Sequence, residues 1–464
     1  MSESSTKKSR MPHIYVLIVG IIFACALASW ILPAGEFDRV KNEAGRMVVV
    51  PGTFHTVEPS PVGLFGAIKA VYAGMVNAGS VVFFVFISYA SISIIISTGA
   101  FNGLVAGLLK LFKGKARVAI IPIFITVIGA ASSTIGLFEE TLPFIPIFVG
   151  IAIAMGYDAL VGMAIVALGA GLGYSGAAMN PFTVGIAQGI AEVAPMSGAG
   201  YRVICHFAMI AVASAYTMRY ALKIQADPTK SLVYGSDFSK FTMDQSALEE
   251  HPFGLKEKLV LLTLALGIVA IVYGSKVHHW YFEELSAVFI IMGVVAAAIM
   301  GWGPNRIAEK MASGFSEIAM ACMMIGLARG ILIVLQQGKI IDTVVYGMSL
   351  PLANMPRWVA GEAMLVLQTL LNFLIPSGSG QAATSMPIMA PLSDLLGISR
   401  QVAVLAFQFG DGISNVLWPT AFAPVVCGIA GVRIDRWWKW FVPLFFLILA
   451  TQGVLIAIAI QIGW

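Results

Sequence analysis

Apolar residues run along this chain in long blocks separated by short polar segments. Gly63 to Leu109 carries a single charge, Lys69, whereas Lys223 to Lys258 is rich in them. An apolar run of about 18 residues is enough to cross a bilayer. The pattern therefore predicts spanning helices over roughly 14 to 33, 79 to 99, 201 to 221, 258 to 274, 285 to 302, 318 to 336 and 437 to 463. Four further stretches are less regular. Two fold back on themselves, 117 to 131 through 137 to 154 and 358 to 374 through 383 to 396, and two span with a break, 158 to 193 and 400 to 428.

The polar segments set the topology. Lys110, Lys113, Lys115 and Arg117 form one basic loop, Arg306 and Lys310 another, and Arg433, Arg436 and Lys439 a third. Basic loops stay on the cytoplasmic side. With these and the N-terminus cytoplasmic, the alternation closes only when the two folded-back stretches are re-entrant hairpins from opposite faces, which leaves the C-terminus outside. Segments also recur in order. MVNAGSVVFF from Met75 parallels FSEIAMACMM from Phe315, Ser132 to Phe144 parallels Pro376 to Ile388, and Gly171 to Thr183 parallels Phe409 to Ala421. The fold expected is an all-α polytopic membrane protein of about 11 segments, built as inverted repeats each holding a re-entrant hairpin and a broken helix. Its parts are 1–62 (tail, first helix, external loop), 63–221 (first repeat), 222–258 (cytoplasmic linker) and 259–464 (second repeat with its preceding helices and final helix). In the external loop, VVVPGTF is a candidate short strand.

Composition agrees. The chain is 58% hydrophobic and 11% charged, against about 25% charged in soluble domains, which excludes a water-soluble fold. Its 47 glycines suit close helix packing. Ile14 to Leu32 is of spanning length and reads as a retained first helix rather than a cleaved leader. Cys25, Cys205, Cys322 and Cys427 stand singly in apolar segments, which points to buried structural roles. The net charge of +4 follows from the loop bias and implies no nucleic-acid partner. Gly171 to Gly176 fits GxGxxG but lies in an apolar span with no βαβ pattern around it; there is no P-loop, and the six histidines form no HExxH. The chain does not read as an enzyme.

The breaks carry the candidate chemistry. A span containing Gly173, Ser175, Gly176, Asn180 and Pro181 cannot remain a continuous helix, and such breaks persist in a bilayer only where they line a cavity. Half-helix N-termini there favour an anion and C-terminal carbonyls a cation. The hairpin tips, Ser132-Ser133-Thr134 and Ser377-Gly378-Ser379-Gly380-Gln381, put hydroxyls at membrane depth, oxygen ligands of the kind sodium takes. Glu139, Glu140 and Asp411 are intramembrane carboxylates, rarely kept without use. Glu140 reads equally as a cap on the returning hairpin helix, and Arg329, the one deep basic residue, as an internal ion pair or a substrate-carboxylate contact.

The stretches Ile31-Leu32-Pro33-Ala34-Gly35-Glu36-Phe37, Asn180-Pro181-Phe182-Thr183-Val184-Gly185-Ile186-Ala187-Gln188, and Gly410 to Asn415 with Pro419-Thr420 resemble the YfcC-type carriers. These stand with the anaerobic four-carbon dicarboxylate carriers and the arginine/ornithine antiporters in the ion transporter superfamily, and the resemblance runs from about His13 to the C-terminus. It implies a scaffold and a mobile transport domain working as an elevator, a homodimer, and no cofactor beyond a sodium ion. It departs from relatives at the first tip, which lacks their Asn. The expected function is secondary active transport of a small carboxylate-bearing metabolite across a bacterial inner membrane, coupled to sodium or protons or run by exchange. A basic amino acid ranks first, because three acidic residues face one candidate Arg; a four-carbon dicarboxylate is the alternative and an ion channel the remote one. The substrate-binding candidates are Ser133, Thr134, Glu139, Glu140, Ser175, Asn180, Thr183, Ser377, Gly378, Ser379, Asp411, Asn415 and Thr420. Sodium candidates are Ser132, Ser133, Asn180, Ser379, Gly380, Asp411 and Asn415.

Overall fold

The computed structural model describes residues 12–41, 47–112, 114–242, 254–278 and 280–464. Lys7, Lys8, Arg10, Lys113, His251 and His279 lie outside them. Among the described residues, eight helices are long and apolar enough to cross a membrane. The chain runs α1 Ile14–Ile31, α2 Leu64–Asn77, α3 Gly79–Ser97, α4 Ala100–Leu111, α5 Ile120–Ile135, α6 Ile145–Ala154, α7 Ala159–Ser175, α8 Val184–Ile190 and α9 Ala199–Ala226. After the linker come α10 Leu255–Val277, α11 Phe282–Ile299, α12 Pro304–Gln337, α13 Ile341–Ser349, α14 Arg357–Leu374, α15 Gly378–Leu395, α16 Arg400–Ser414, α17 Ala423–Ala430 and α18 Ile434–Ile462.

The second half repeats the order of the first. Two facing short helices (α5 with α6, α14 with α15) precede a broken pair (α7 with α8, α16 with α17) and then one long helix (α9, α18). Ahead of these, α2 and α3 are separated by Ala78 alone and cover residues 64–97, the counterpart of the single 34-residue α12. The sequence reading had no separate helix at 64–77, because 14 residues fall short of a span.

Packing sorts the helices into two groups. In one, α12 packs on α1, α2 and α3, and α11 on α3 and α10. Small residues bring these backbones together: a Cβ on Gly74 would come 2.5 Å from the Gly326 carbonyl. In the other group, α7 packs on α5, α6, α9 and α16, and α14 on α16 and α18. Four cysteines sit buried and apart in these helices.

The loop from 35 to 56 forms two small antiparallel pairs, Gly35–Glu36 with His55–Thr56 and Arg39–Lys41 with Met47–Val49. The second holds the start of the VVVPGTF stretch. Arg39 and the Phe37 amide anchor the loop on Asp342 of α13, at 2.8 and 3.0 Å. Asp158 caps α7 by accepting the Val161 amide at 3.0 Å, and also accepts from Tyr220 of α9 at 2.7 Å and from Ser231 of the linker at 2.6 Å. Val233 and Phe241 of the linker are buried.

Candidate functional site

Where the two groups meet, the chain leaves a cavity of about 170 Å³. Its walls come from both halves: Gly136 to Glu140 after α5, Tyr174 on α7, Phe182 and Thr183 in the first break, Ile325, Ala328 and Arg329 on α12, Pro376 to Ser379 at the second hairpin, and Asn415 with Thr420 to Phe422 in the second break. Of the residues singled out from sequence, Glu139, Glu140, Thr183, Ser377, Gly378, Ser379, Asn415 and Thr420 line it, as does Arg329.

The others do not line it, and the reasons are local. Helix α5 continues to Ile135, so Ser132, Ser133 and Thr134 belong to its last turn and the hairpin turns at Gly136 (φ 78°) instead. Ser132 Oγ donates to the Ala170 carbonyl at 2.9 Å, and Ser133 Oγ donates to the Gly176 carbonyl and accepts the Ala178 amide at 3.0 Å. Asn180 accepts the Phe182 amide at 2.8 Å. These side chains stitch the first hairpin to the first break and do not line the cavity. Thr134 donates back to Ala130 at 2.7 Å. Ser175 accepts the Ile413 amide at 2.7 Å, joining α7 to α16 where Gly412 lets the two backbones touch.

The second hairpin also differs from expectation. Helix α15 begins at Gly378 rather than 383, with Ser377 as its cap, so the tip shrinks to 375–377 and Gly380 is helical. The free amide groups of this first turn then stand at the cavity. Asp411 lies in the last turn of α16, short of the break, and is buried beneath Gly378. A Cβ on Gly378 would come 2.7 Å from Thr183 Cγ2 and 3.1 Å from Asp411 Oδ2. Asn372 Nδ2 donates to Asp411 Oδ1 at 2.9 Å. Close by, Asn372 Oδ1 and Thr183 Oγ1 are buried without a partner.

Glu140 is buried, and its Oε2 accepts the Phe138 amide at 2.9 Å, so it caps the turn while also lining the cavity. Glu139 and Arg329 lie within electrostatic reach of one another, and neither makes an ion pair within 4.0 Å among the described residues. Aromatic rings close the space: Phe138 packs edge-on to Tyr174 at 4.9 Å and against Phe422 at 4.8 Å, and Phe182 against Tyr281 at 5.7 Å. Sequence reasoning missed Tyr281, which falls at a helix start read as external loop. It also missed the amides Gln368 and Asn372. Their signal was present, since Gln368 and Asn372 stand four apart in an uncharged span and so share a helix face.

A multi-pass helical bundle with a cavity holding charged and polar side chains between two interrupted helices is the architecture of a membrane transporter. The comparisons give the family. The family profile described as DcuC, C4-dicarboxylate anaerobic carrier, matches residues 11–461, and the chain belongs to that family. It is 29% identical to the Escherichia coli protein named "Putative basic amino acid antiporter YfcC", over 99% of this chain and 98% of that one. It is 31% identical to an uncharacterized Haemophilus influenzae protein, over 100% and 99%. Among solved structures, the YdaH transporter of Alcanivorax borkumensis aligns over 98% of this chain and 99% of its own, at 16% identity and a TM-score of 0.45. Neisseria gonorrhoeae MtrF, of a class of antimetabolite efflux pumps, aligns over 98% and 96% at 17% identity and 0.43. Both alignments are too loose to place residues.

Proposed function

We propose that this transporter is a secondary active carrier of a small carboxylate-bearing metabolite, with a basic amino acid of the arginine or ornithine type as substrate. The observation that carries the reading is the meeting of Glu139, Glu140 and Arg329 in one ring-lined cavity. An amino acid presents a carboxylate and an ammonium a few ångströms apart, and a basic side chain adds a cation. Arg329 and the free amides at the start of α15 suit the carboxylate; the two glutamates and the faces of Tyr174, Phe182 and Tyr281 suit the cations. The name of the E. coli relative accords with this.

Asp411 is the seat proposed for the coupling ion, sodium or a proton, because it is a buried carboxylate beside the unpartnered oxygens of Thr183 and Asn372. The carrier works by elevator movement of the group holding both hairpins and both breaks against the group around α12, coupled to sodium or protons or run by exchange. In this reading the halves 63–221 and 259–464 have opposite orientation, joined by the linker 222–258. The N-terminus is cytoplasmic, the C-terminus outside, and the assembly a homodimer in a bacterial inner membrane. A four-carbon dicarboxylate is the second reading. The half-helix amides and Arg329 favour it, as does the name of the family.

The test is uptake of labelled arginine, ornithine, succinate and fumarate into proteoliposomes, each with a sodium gradient, a proton gradient or internal substrate. Uptake of the amino acids alone is expected. Uptake of the diacids alone transfers the site to the second reading, no uptake of any of the four removes both substrates, and currents far above carrier turnover replace the carrier with a channel.

A further inference from the structure

Near the first break the protein buries a charge that the proposed function does not use. Arg202, the fourth residue of α9, is 0% exposed. Among the described residues no carboxylate pairs with it. Its Nη2 donates to Gln401 Oε1 at 2.9 Å and its Nη1 to Gln408 Oε1, its plane lies 5.1 Å from the Trp464 ring, and its Nε has no partner. An unpaired buried charge is costly and is seldom retained without a role.

Gln408 shows what the charge acts on. Its Nε2 donates to the carbonyl of Tyr174, in the last turn of the half-helix α7, at 3.3 Å, and to that of Ala177, two residues past its end, at 2.6 Å. An amide can point either way. Here the guanidinium demands the oxygen, so the NH2 is turned onto those carbonyls. The carbonyl end of a helix carries about half a negative charge. At this break Arg202 answers it through Gln408, and the neighbouring oxygens of Ser132, Ser133 and Asn180 are already hydrogen-bonded.

The second break lacks such an answer. The fourth residue of α18, matching Arg202 in position, is Trp437, a neutral donor to the Val416 carbonyl at 2.7 Å. The carbonyls ending α16, of Asp411 and Gly412, are taken by Asn415 Nδ2. The Asp411 carboxyl group is a buried site for negative charge at that helix end, with the Asn372 and Thr183 oxygens unpartnered beside it. One break carries its own cation and the other needs one.

We propose that Arg202 is a built-in cation standing in for a coupling ion at the first break, a positioning residue acting through Gln408, so that only the break at Asp411 draws an ion from solution. This rests on reading the chain as an ion-coupled carrier. It predicts that removing the charge adds one cation requirement to whatever number the unaltered protein has.

Purified protein is titrated with sodium chloride against choline chloride, following thermal stabilisation, which grows with each bound ion by mass action. R202M is expected to bind one sodium more than the parent, with roughly twice the stabilisation at saturating sodium if the parent binds one. R202K should match the parent. Q408E, which cancels the guanidinium charge and frees the carbonyls, should repeat R202M and serves if R202M does not fold. D411N removes the parent's own response, and R202M combined with D411N should keep only the added one. A parent without any sodium response discards sodium coupling, yet R202M must still acquire one. Titrations of R202M and Q408E that match the parent, or R202K behaving as R202M, overturn the assignment.

Discussion

Gly378 is the residue on which the two sides of the site depend. It lies between the cavity and Asp411, with Thr183 on the other flank, and leaves no room for a side chain. G378A should therefore lower uptake at least about tenfold at normal protein abundance, since a methyl at 2.7 Å from Thr183 has to push the hairpin tip off the carboxylate. Initial rates in proteoliposomes, normalised to reconstituted protein, check this; an unchanged rate would show that the tip is free to shift. The carboxylates, Arg329, Thr183, Asn415 and Thr420 were legible because charged and polar residues beside helix breakers in apolar spans stand out. Ser132, Ser133, Asn180 and Ser175 looked the same in sequence, yet they spend their hydrogen bonds holding hairpin to break and α7 to α16. Residue type shows that a polar group is buried, and only packing shows which neighbour it meets.

At the scale of elements, the central crossing is that of α7 and α16. A Cβ on Gly412 would stand 2.2 Å from the Ser175 backbone nitrogen, so neither helix can yield without moving its break. G412A should reduce the folded yield and lower the melting temperature, an overpacking penalty of about 1–3 kcal/mol. G200A, in α9 where the new Cβ meets nothing within 4 Å outside its own helix, is the control and should melt no lower than the parent. A fluorescence melt of both variants decides. Hydropathy made the long helices readable, and the proline and glycine runs marked both breaks. The boundaries within the hairpins were not readable: serine is acceptable in a last helical turn as well as in a loop, so α5 reached Ile135 and α15 began at Gly378. The short helices α4 and α13 escaped because 12 and 9 residues resemble the ends of neighbouring runs.

On the scale of the whole molecule, the cavity draws residues from both halves, and the linker touches both as well: Ser231 donates to Asp158 of the first, while Phe238, Lys240 and Phe241 lie beside Gly431 of the second. Two fragments, 1–242 and 254–464, each hold half of the site. Expressed together they should reassemble, restoring uptake that neither shows alone, because the contacts between the halves are buried helix faces rather than the connecting chain. Co-purification with a tag on one fragment measures the assembly and vesicle uptake the function.

The docked linker also sets a mechanical bound. In the elevator movement proposed above, α7 shifts relative to α10, and the described chain between them stops at Thr242 and resumes at Gly254. Twelve peptide steps reach at most about 43 Å, so the proposed movement has a length limit written into the spacing of two residues.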